Sequence, residues 1–504
     1  MGKILDGEDS RVVRPTSPQS GGKVCIAGSY TAIGPRAFEN RGDIERVQIL
    51  DSIESVGDGA FSGCGRLKEI LLPKGLKRIG SRAFDGCSAM KRIAIPDTVE
   101  QIGDHALAGC VSLISVEFPE QLRRLGAWSF ENFGSLVGVN LPACLDEIPE
   151  RAFFGCGSLY QVTLPKNAPS GKKGDSGGIA IGRSAFESCR CLRCLRIGPA
   201  ARRLDDRALA ECSSLAELPA LTDGAYLGDH VLAGCRACRT LAIPPSKQLR
   251  LAPEALTDSF VSELLVPNGV IKIDEVYLRA PRLKRFTVAR GNRSRSAVEG
   301  LFCSKDGRVL YQCPPGLERL ALPESIEKIA PGAFTGCLKL ARLTIHDRVK
   351  ELPPGVFAGC TALKSVELPE TITEIPRRAF EGCASLREFV LPESVTAIGP
   401  RAFAECTALK RIILPAAITE IATQTFADCA ALQRIVIPPS VKRIAPGAFA
   451  RCSALGRAAI PPGTDELAGG AFTACDRLKI IASTDSPAWR YAEKKKIRRE
   501  MVIR

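Results

Sequence analysis

The chain has 504 residues, of which 45% are hydrophobic, and its formal net charge is +14 at pH 7. No segment approaches the roughly 18 consecutive apolar residues that a membrane helix needs, and the first residues lack the apolar core of a secretory signal. The chain carries 21 cysteines but only 3 histidines. These features predict a cytoplasmic or nuclear chain that keeps its thiols reduced, and they leave little material for histidine-based catalysis or metal binding.

A motif of the form A-F-x-G-C recurs along the chain. It reads AFSGC at 60–64, AFDGC at 83–87, ALAGC at 106–110 and AFFGC at 152–156, and the usual step between copies is 23 residues. Counting degenerate copies, the pattern predicts about 18 units. Because one short unit cannot bury its apolar face alone, the repeat indicates a solenoid in which neighbouring units share a continuous core.

One unit, 406–428, shows how a turn of this solenoid would form. Leu409, Ile412 and Leu414 follow an L-x-x-L-x-L pattern whose last two positions have the period of a short strand. Pro415 lacks a backbone donor and would close the strand. Ile418 predicts the start of a second short extended segment, after which the phenylalanine and cysteine positions would join the core.

The pattern L-x-x-I-x-L-P-x-x-[VI]-x-x-I-G-x-x-A-F-x-x-C, as in LREFVLPESVTAIGPRAFAEC at 386–406, resembles the BspA-like, or treponemal-type, leucine-rich repeat. The resemblance covers roughly 24–484. It implies a leucine-rich-repeat solenoid, a right-handed superhelix of short strands with loops or short helices on its convex side. It also implies a role in protein binding, including surface display and adhesion in exported members.

Breaks in the repeat predict the domain organisation. The segments are a disordered N-terminal segment at 1–23, a first repeat array at 24–287 with a loop insertion at 166–178, a β-hairpin insertion at 288–317, a second array at 318–484, and a cap of one helix and one strand at 485–504. Within the hairpin, Asp306-Gly307 predicts a tight two-residue turn. The cap is predicted to have its helix around Pro487–Lys495 and to cover the last apolar layer.

The cysteines fall into two groups. Those in the repeat motif are predicted to form a buried ladder of free thiols, because side chains stacked in register point the same way and do not meet as a disulfide requires. Two C-x-x-C pairs, Cys191/Cys194 and Cys235/Cys238, have zinc-ligand spacing. The repeat phase places the second pair inside and the first outside, so no metal site is predicted. Cys191 and Cys194 are instead predicted to be exposed thiols.

The placement of charge suggests a binding surface. The strand residue five positions after each cysteine position is expected to face the concave sheet; it is basic in seven units and acidic in three. The basic residues are Arg46, Arg92, Arg285, Arg342, Arg411, Arg434 and Arg457, and the acidic ones are Glu69, Glu217 and Glu388. The last three arginines occupy consecutive units and are interleaved with Ile413 and Val436. A solvated basic face is the alternative interpretation.

The stretch GDSGG at 174–178 raises the possibility that Ser176 is a protease nucleophile. A trypsin-like site also needs a histidine and an aspartate at that serine, and the repeat places the upstream His105 several layers away. The motif therefore indicates a polar loop, and a serine hydrolase is only a remote alternative.

Taken together, the sequence predicts a non-catalytic scaffold without cofactor or small-molecule substrate. It would bind acidic protein partners through the concave sheet, and a surface-displayed adhesin is the alternative. Nucleic-acid binding is disfavoured because aromatic stacking residues are scarce. The basic tail is interpreted as the solvated side of the capping helix.

Overall fold

The fold consists of two rows of short parallel strands joined by turns. The computed structural model describes residues 3–6, 22–27, 30–50, 52–145, 147–164, 178–198, 200–242, 250–268 and 279–501. The chain divides into two units, Met1–Val261 and Ser262–Arg504. In both units, one turn of the chain contributes one strand to each row, and such a turn is called a layer below.

The strands of the first unit follow in chain order. They are β1 (Lys3–Leu5), β2 (Lys23–Ile26), β3 (Tyr30–Ile33), β4 (Arg46–Ile49), β5 (Ser55–Val56), β6 (Glu69–Leu71), β7 (Arg78–Ile79), β8 (Arg92–Ala94), β9 (Gln101–Ile102), β10 (Ser115–Glu117), β11 (Arg124–Leu125), β12 (Gly138–Asn140), β13 (Glu147–Ile148), β14 (Gln161–Leu164), β15 (Ile179–Ile181), β16 (Cys194–Ile197), β17 (Ala201–Leu204), β18 (Leu221–Leu227), β19 (Thr240–Ala242) and β20 (Arg250–Leu251).

These strands separate into the two rows by sheet. Row one contains the sheets β2-β4-β6, β8-β10 and β12-β14-β16, and row two contains β1-β3-β5-β7-β9-β11 and β13-β15-β17-β18-β20. Every one of these pairings is parallel. The register joins equivalent positions of successive layers, as in Arg92 opposite Ser115.

The second unit continues the same pattern and adds a hairpin region and a helix. Its elements are β21 (Glu263–Val266), β22 (Arg285–Val288), β23 (Arg295–Val298), β24 (Leu301–Ser304), β25 (Val309–Gln312), β26 (Arg319–Ala321), β27 (Lys328–Ile329), β28 (Arg342–Thr344), β29 (Ser365–Glu367), β30 (Glu374–Ile375), β31 (Glu388–Val390), β32 (Ala397–Ile398), β33 (Arg411–Ile413), β34 (Glu420–Ile421), β35 (Arg434–Val436), β36 (Arg443–Ile444), β37 (Arg457–Ala459), β38 (Glu466–Leu467), β39 (Lys479–Ala482), α1 (Pro487–Lys494) and β40 (Arg498–Met501).

Row one of the second unit comprises β21-β22, β26-β28-β29, β31-β33 and β35-β37-β39-β40, whereas row two comprises β25-β27, β30-β32 and β34-β36-β38. In the three-residue strands of row one the middle side chain is typically inside and its two neighbours face outward, as in β33 and β35. The period-2 alternation found in the sequence is therefore what separates core from surface.

Phenylalanine and cysteine columns form the third side of each layer. Neighbouring rings stack with centroids 5.0 Å apart for Phe38 and Phe61 in the first unit and 5.1 Å apart for Phe449 and Phe472 in the second. Backbone hydrogen bonds join the turns of successive layers on this side, for example from Phe61 N–H to the Ala83 carbonyl at 2.7 Å. Each added layer therefore buries apolar rings and also satisfies backbone groups of its neighbour.

The ladder cysteines are buried and free, as the sequence predicts. Each thiol also has a polar contact that the sequence does not reveal: Cys64 Sγ donates to the Phe38 carbonyl at 3.1 Å, and Cys406 Sγ donates to the Phe380 carbonyl at 3.1 Å. The acceptor belongs to the preceding layer. A small, weakly polar side chain at this position thus fits the apolar core and adds a second hydrogen bond to a carbonyl oxygen that already accepts one from the backbone.

The glycine of the I-G pair marks a place where layers approach closely. A Cβ atom added to Gly126 would lie 2.2 Å from the carbonyl carbon of Gly103 in the preceding layer. Any side chain there would force the two backbones apart. Other layers have proline or alanine at the equivalent position, as at Pro376 and Ala422, so this close approach belongs to layers with glycine, such as that of Gly126, and not to the repeat as a whole.

The N-terminal prediction needs a correction. The sequence indicates no regular structure over 1–23, but Lys3–Leu5 forms β1, which pairs in parallel with β3, and Lys23 begins β2. Residues 7–21 lie outside the described residues, as does the predicted loop insertion at 166–178 except for Gly178. The second extended segment predicted from Ile418 is present as β34 (Glu420–Ile421), a row two strand.

The predicted hairpin insertion at 288–317 contains three antiparallel strands, β23, β24 and β25. Its two-residue turn is Glu299-Gly300, where both residues have positive φ (50° and 85°), as a type I′ turn requires. The Asp306-Gly307 pair, predicted to be that tight turn, instead lies in the longer loop between β24 and β25. This segment belongs to the second unit, so the observed division of the chain precedes the predicted hairpin.

The C-terminal residues form a helix and a strand. Helix α1 begins after Ser486, whose hydroxyl accepts a hydrogen bond from Trp489 N–H at 3.2 Å, and it has proline in its first turn. Ala488 and Ala492 are fully buried against the last layers. β40 then pairs in parallel with β39. These elements match the helix and strand that the sequence predicts for the end of the chain.

Candidate partner-binding surface

Three arginines predicted as a binding surface lie on the outer face of row one in the second unit. Arg411, Arg434 and Arg457 are the first residues of β33, β35 and β37, and all three side chains are exposed. Arg434 lies directly opposite Arg457 in the parallel register. These three residues are called the arginine row below.

The arginine row places like charges side by side. Adjacent strands are about 4.8 Å apart, and none of the three guanidinium groups forms an ion pair with any residue that the structure describes. Directly opposed like charges destabilise a sheet. The direct opposition of Arg434 and Arg457 therefore carries an electrostatic cost.

The two ends of the arginine row are different. At one end Glu388 lies opposite Arg411 in register. At the other end Lys479 follows Arg457 in register, and its Nζ atom contacts Glu500 Oε2 at 3.0 Å. That hydrogen bond lowers the pKa of the Glu500 carboxyl, with a smaller contribution from Arg457. Arg434 thus lies beside other arginines, whereas Arg411 and Arg457 each also have a carboxylate nearby.

An exposed aliphatic column runs beside the arginine row, two residues further along each strand. Val390, Ile413 and Val436 are 67%, 39% and 67% exposed, and they are called the aliphatic row below. Val390 lies opposite Ile413 in register. The sequence already indicates Ile413 and Val436. The sequence prediction omits Val390 because it selects strands that begin with arginine, and this strand begins with Glu388. Val390 nevertheless has the same third strand position as Ile413 and Val436.

The two cysteines predicted to be exposed are placed differently from each other. Cys191 is exposed on the turn before β16, whereas Cys194 is the first residue of β16, is only half-buried, and lies opposite Gln161. Cys235 and Cys238 of the second C-x-x-C pair are buried. Among the described residues, no group of three or more histidine, cysteine, aspartate or glutamate side chains is arranged to hold a metal ion.

The serine-protease interpretation concerned Ser176 and His105. Ser176 lies outside the described residues. The His105 ring stacks on the Trp128 ring at a centroid distance of 5.0 Å and an angle of 2°.

No described helix has the length and apolar character needed to cross a membrane.

The repeated layers, the leucine and isoleucine core positions and the phenylalanine and cysteine columns define a parallel β-solenoid built from leucine-rich repeats. The BspA-type leucine-rich repeat region, in six copies, matches residues 77–173, 176–294, 308–397 and 373–487. The chain belongs to this family. The resemblance inferred from 386–406 is therefore confirmed.

Several solved structures similar to this chain are bacterial leucine-rich repeat proteins. A protein from Bacteroides ovatus is 20% identical, with 97% of this chain and 98% of that chain covered and a TM-score of 0.32. The pneumococcal vaccine antigen PcpA is 16% identical, with 95% and 84% covered and a TM-score of 0.31. The Treponema pallidum protein TpLRR is 24% identical, with 44% and 85% covered and a TM-score of 0.27. No curated protein sequence matches the chain.

Proposed function

We propose that this protein is a non-catalytic scaffold that binds acidic protein partners through the arginine row and the neighbouring Ile413 and Val436. Solenoid repeats present long regular surfaces to other proteins. The observation that carries the proposal is the direct opposition of Arg434 and Arg457, which costs stability in the free protein. Partner carboxylates would turn that cost into charge-assisted hydrogen bonds.

The aliphatic neighbours support a protein partner over a simple polyanion. Val436 is 67% exposed beside Arg434, so one partner segment would contact a positive group and an apolar side chain together. Interfaces combine apolar anchors with such polar contacts. A purely ionic ligand would leave the apolar side chains in water.

The proposal is tested by a crosslinking pull-down that compares the wild type with Arg411→Glu/Arg434→Glu/Arg457→Glu. The matched control is Arg46→Glu/Arg92→Glu/Arg342→Glu, which reverses three arginines at the same strand position in other layers. We expect partners to be lost from the first variant and kept by the control. An unchanged partner set would refute the arginine row as the binding surface.

We further propose that the protein is not an enzyme and works in a reducing compartment, cytoplasmic or nuclear. The free, buried cysteines support reducing conditions. A fluorophosphonate probe should leave Ser176 unlabelled. The alternative is a surface-displayed antigen; protease added outside intact cells would degrade such a protein and would spare the intracellular scaffold.

A further inference from the structure

The arginine and aliphatic rows form a grid with two different spacings. Successive layers are about 4.8 Å apart, and residues on one face of a strand are about 6.8 Å apart. The arginine row covers three layers, and the aliphatic row covers three layers displaced by one toward Glu388. A partner that contacts both rows must therefore cross the strands and span four layers, about 14 Å.

The spacing between layers discriminates between partner conformations. An α-helix that crosses the strands places one turn every 5.4 Å, so its residues drift by only about 1.2 Å over the two steps of the arginine row. An extended segment places same-face residues about 6.8 Å apart and drifts by about 4 Å over the same two steps. One helical turn per layer is thus the closer match.

The lateral arrangement also fits a helix. Consecutive residues of a helix are about 100° apart around its axis, so two neighbouring stripes of side chains can face the same surface. One stripe would meet the guanidinium groups and the other would meet Val390, Ile413 and Val436. An amphipathic helix in contact with a partly apolar surface is a known mode of recognition.

We propose that the partner presents an amphipathic α-helix of about three turns that lies across the strands at one turn per layer. Acidic residues at i, i+4 and i+7 contact Arg411, Arg434 and Arg457, and an adjacent aliphatic stripe covers Val390, Ile413 and Val436. This inference rests on the proposed function, because it specifies the partner of the same surface. It adds the conformation and the residue pattern of the bound segment.

Three synthetic peptides of identical composition test the inference. The first has glutamates at i, i+4 and i+7 with leucines at i−3, i+1 and i+5, which displaces the leucines by one layer as in the aliphatic row. The second alternates glutamate and leucine as a strand would, and the third is scrambled. Binding to the full-length protein is measured by fluorescence anisotropy at about 0.1 M salt. Equal composition gives equal net charge, so any difference in affinity reports the pattern.

We expect the helix-patterned peptide to bind at least about tenfold more tightly than the other two peptides. Arg434→Glu and Val436→Asp should each weaken its binding about tenfold or more, whereas Arg46→Glu should leave it unchanged. Arg434→Lys keeps the charge and should retain most of the binding. A cooperative unfolding transition in each variant would exclude loss of folding.

The outcomes separate the two proposals. If the strand-patterned peptide binds as well as the helix-patterned one, or if no peptide binds, the helical mode is overturned. If the partner pull-down still depends on the arginine row in that case, the proposed function survives. If neither peptide binding nor the pull-down responds to arginine reversal, both proposals are refuted.

Discussion

The outer face of row one shows opposite electrostatics in two regions, the β4-β6 pair of the first unit and the β35-β37 pair of the second, although the same strand position is involved. In the first unit Arg46 lies opposite Glu69 in register, and their side chains form an ion pair at 3.7 Å. In the second unit Arg434 lies opposite Arg457, and neither forms an ion pair with a described residue. One surface compensates its charges between layers, and the other accumulates them.

The comparison shows which positions of the repeat are free to vary. Inside, both units use the same columns: Phe61 and Cys64 in the first unit have the same neighbours as Phe403 and Cys406 in the second. Layers stack mainly through these columns and through backbone hydrogen bonds, so the outward strand residues contribute little to the stacking. Charge at those positions can therefore be arranged for a partner without any change of fold.

The largest predicted change in stability should occur at alkaline pH, and it should come from the buried cysteines that both units contain. Burial raises the pKa of the Cys406 thiol to about 12, and it also raises the pKa values of Cys360, Cys383 and Cys429. In the unfolded chain these thiols ionise above about pH 8.5. The folded form thus keeps protons that the unfolded form releases, and stability falls as the pH rises past this value.

Four such thiols should lower the free energy of unfolding by about 5 kcal/mol per pH unit. Urea unfolding of the reduced protein between pH 7 and 10.5 measures this slope. Cys406→Ala removes one titrating group and should make the slope shallower by about one proton. The first unit should behave alike, because the Cys110 and Cys235 pKa values are raised to about 12. A midpoint independent of pH would show that these thiols are not buried.

Burial should determine which cysteines react with a thiol-specific reagent in the native protein. Cys191 is exposed, whereas ladder thiols such as Cys212 are completely buried, and burial raises the pKa of Cys212 well above its usual value. Because the thiolate is the reactive form, we expect Cys191 to react in the native protein and Cys212 only after unfolding. Mass spectrometry of the labelled peptides distinguishes them. Native labelling of Cys212 ahead of Cys191 would contradict the assignment, and Cys191→Ser is the control.

A smaller change in stability is expected in the first unit, at the layer where a serine replaces a cysteine of the buried ladder. Ser259 occupies the cysteine position, is fully buried, and its hydroxyl has no hydrogen-bond partner among the described residues. One layer earlier, Cys235 Sγ reaches the Leu209 carbonyl at 3.0 Å. Ser259→Cys should therefore stabilise the protein by about 1–2 kcal/mol in urea unfolding. The reverse change at a regular layer, Cys212→Ser, should destabilise it; equal effects of both would refute the explanation.

The sequence predicts the repeated interior well and the irregular segments less well. Leu409 and Ile412 recur at fixed spacing in many copies, so their inward positions follow from the period alone. The hairpin occurs once, and two sequences in it, Glu299-Gly300 and Asp306-Gly307, can both form turns. Only the strand pairing shows that the first is the two-residue turn. For the surface, the period predicts which residues face outward, but not that Val390 continues the aliphatic row beyond the arginines.

The smallest predicted change in stability should follow from replacing an outward-facing arginine of each region by glutamate. Arg46→Glu removes the ion pair with Glu69 and places two carboxylates opposite each other, so it should destabilise the protein by about 0.5–1 kcal/mol. Arg434→Glu should stabilise it by about 0.2–1 kcal/mol, because an acid then lies between Arg411 and Arg457. Urea unfolding at low salt measures both changes, and 1 M salt should reduce both because it screens exposed charges. If both variants shifted stability in the same direction, the opposed charges would not account for the stability changes, and the electrostatic explanation would be wrong. Opposite signs at low salt would show that the second unit gives up stability to keep its arginines together, which is expected only if a partner supplies the missing negative charge.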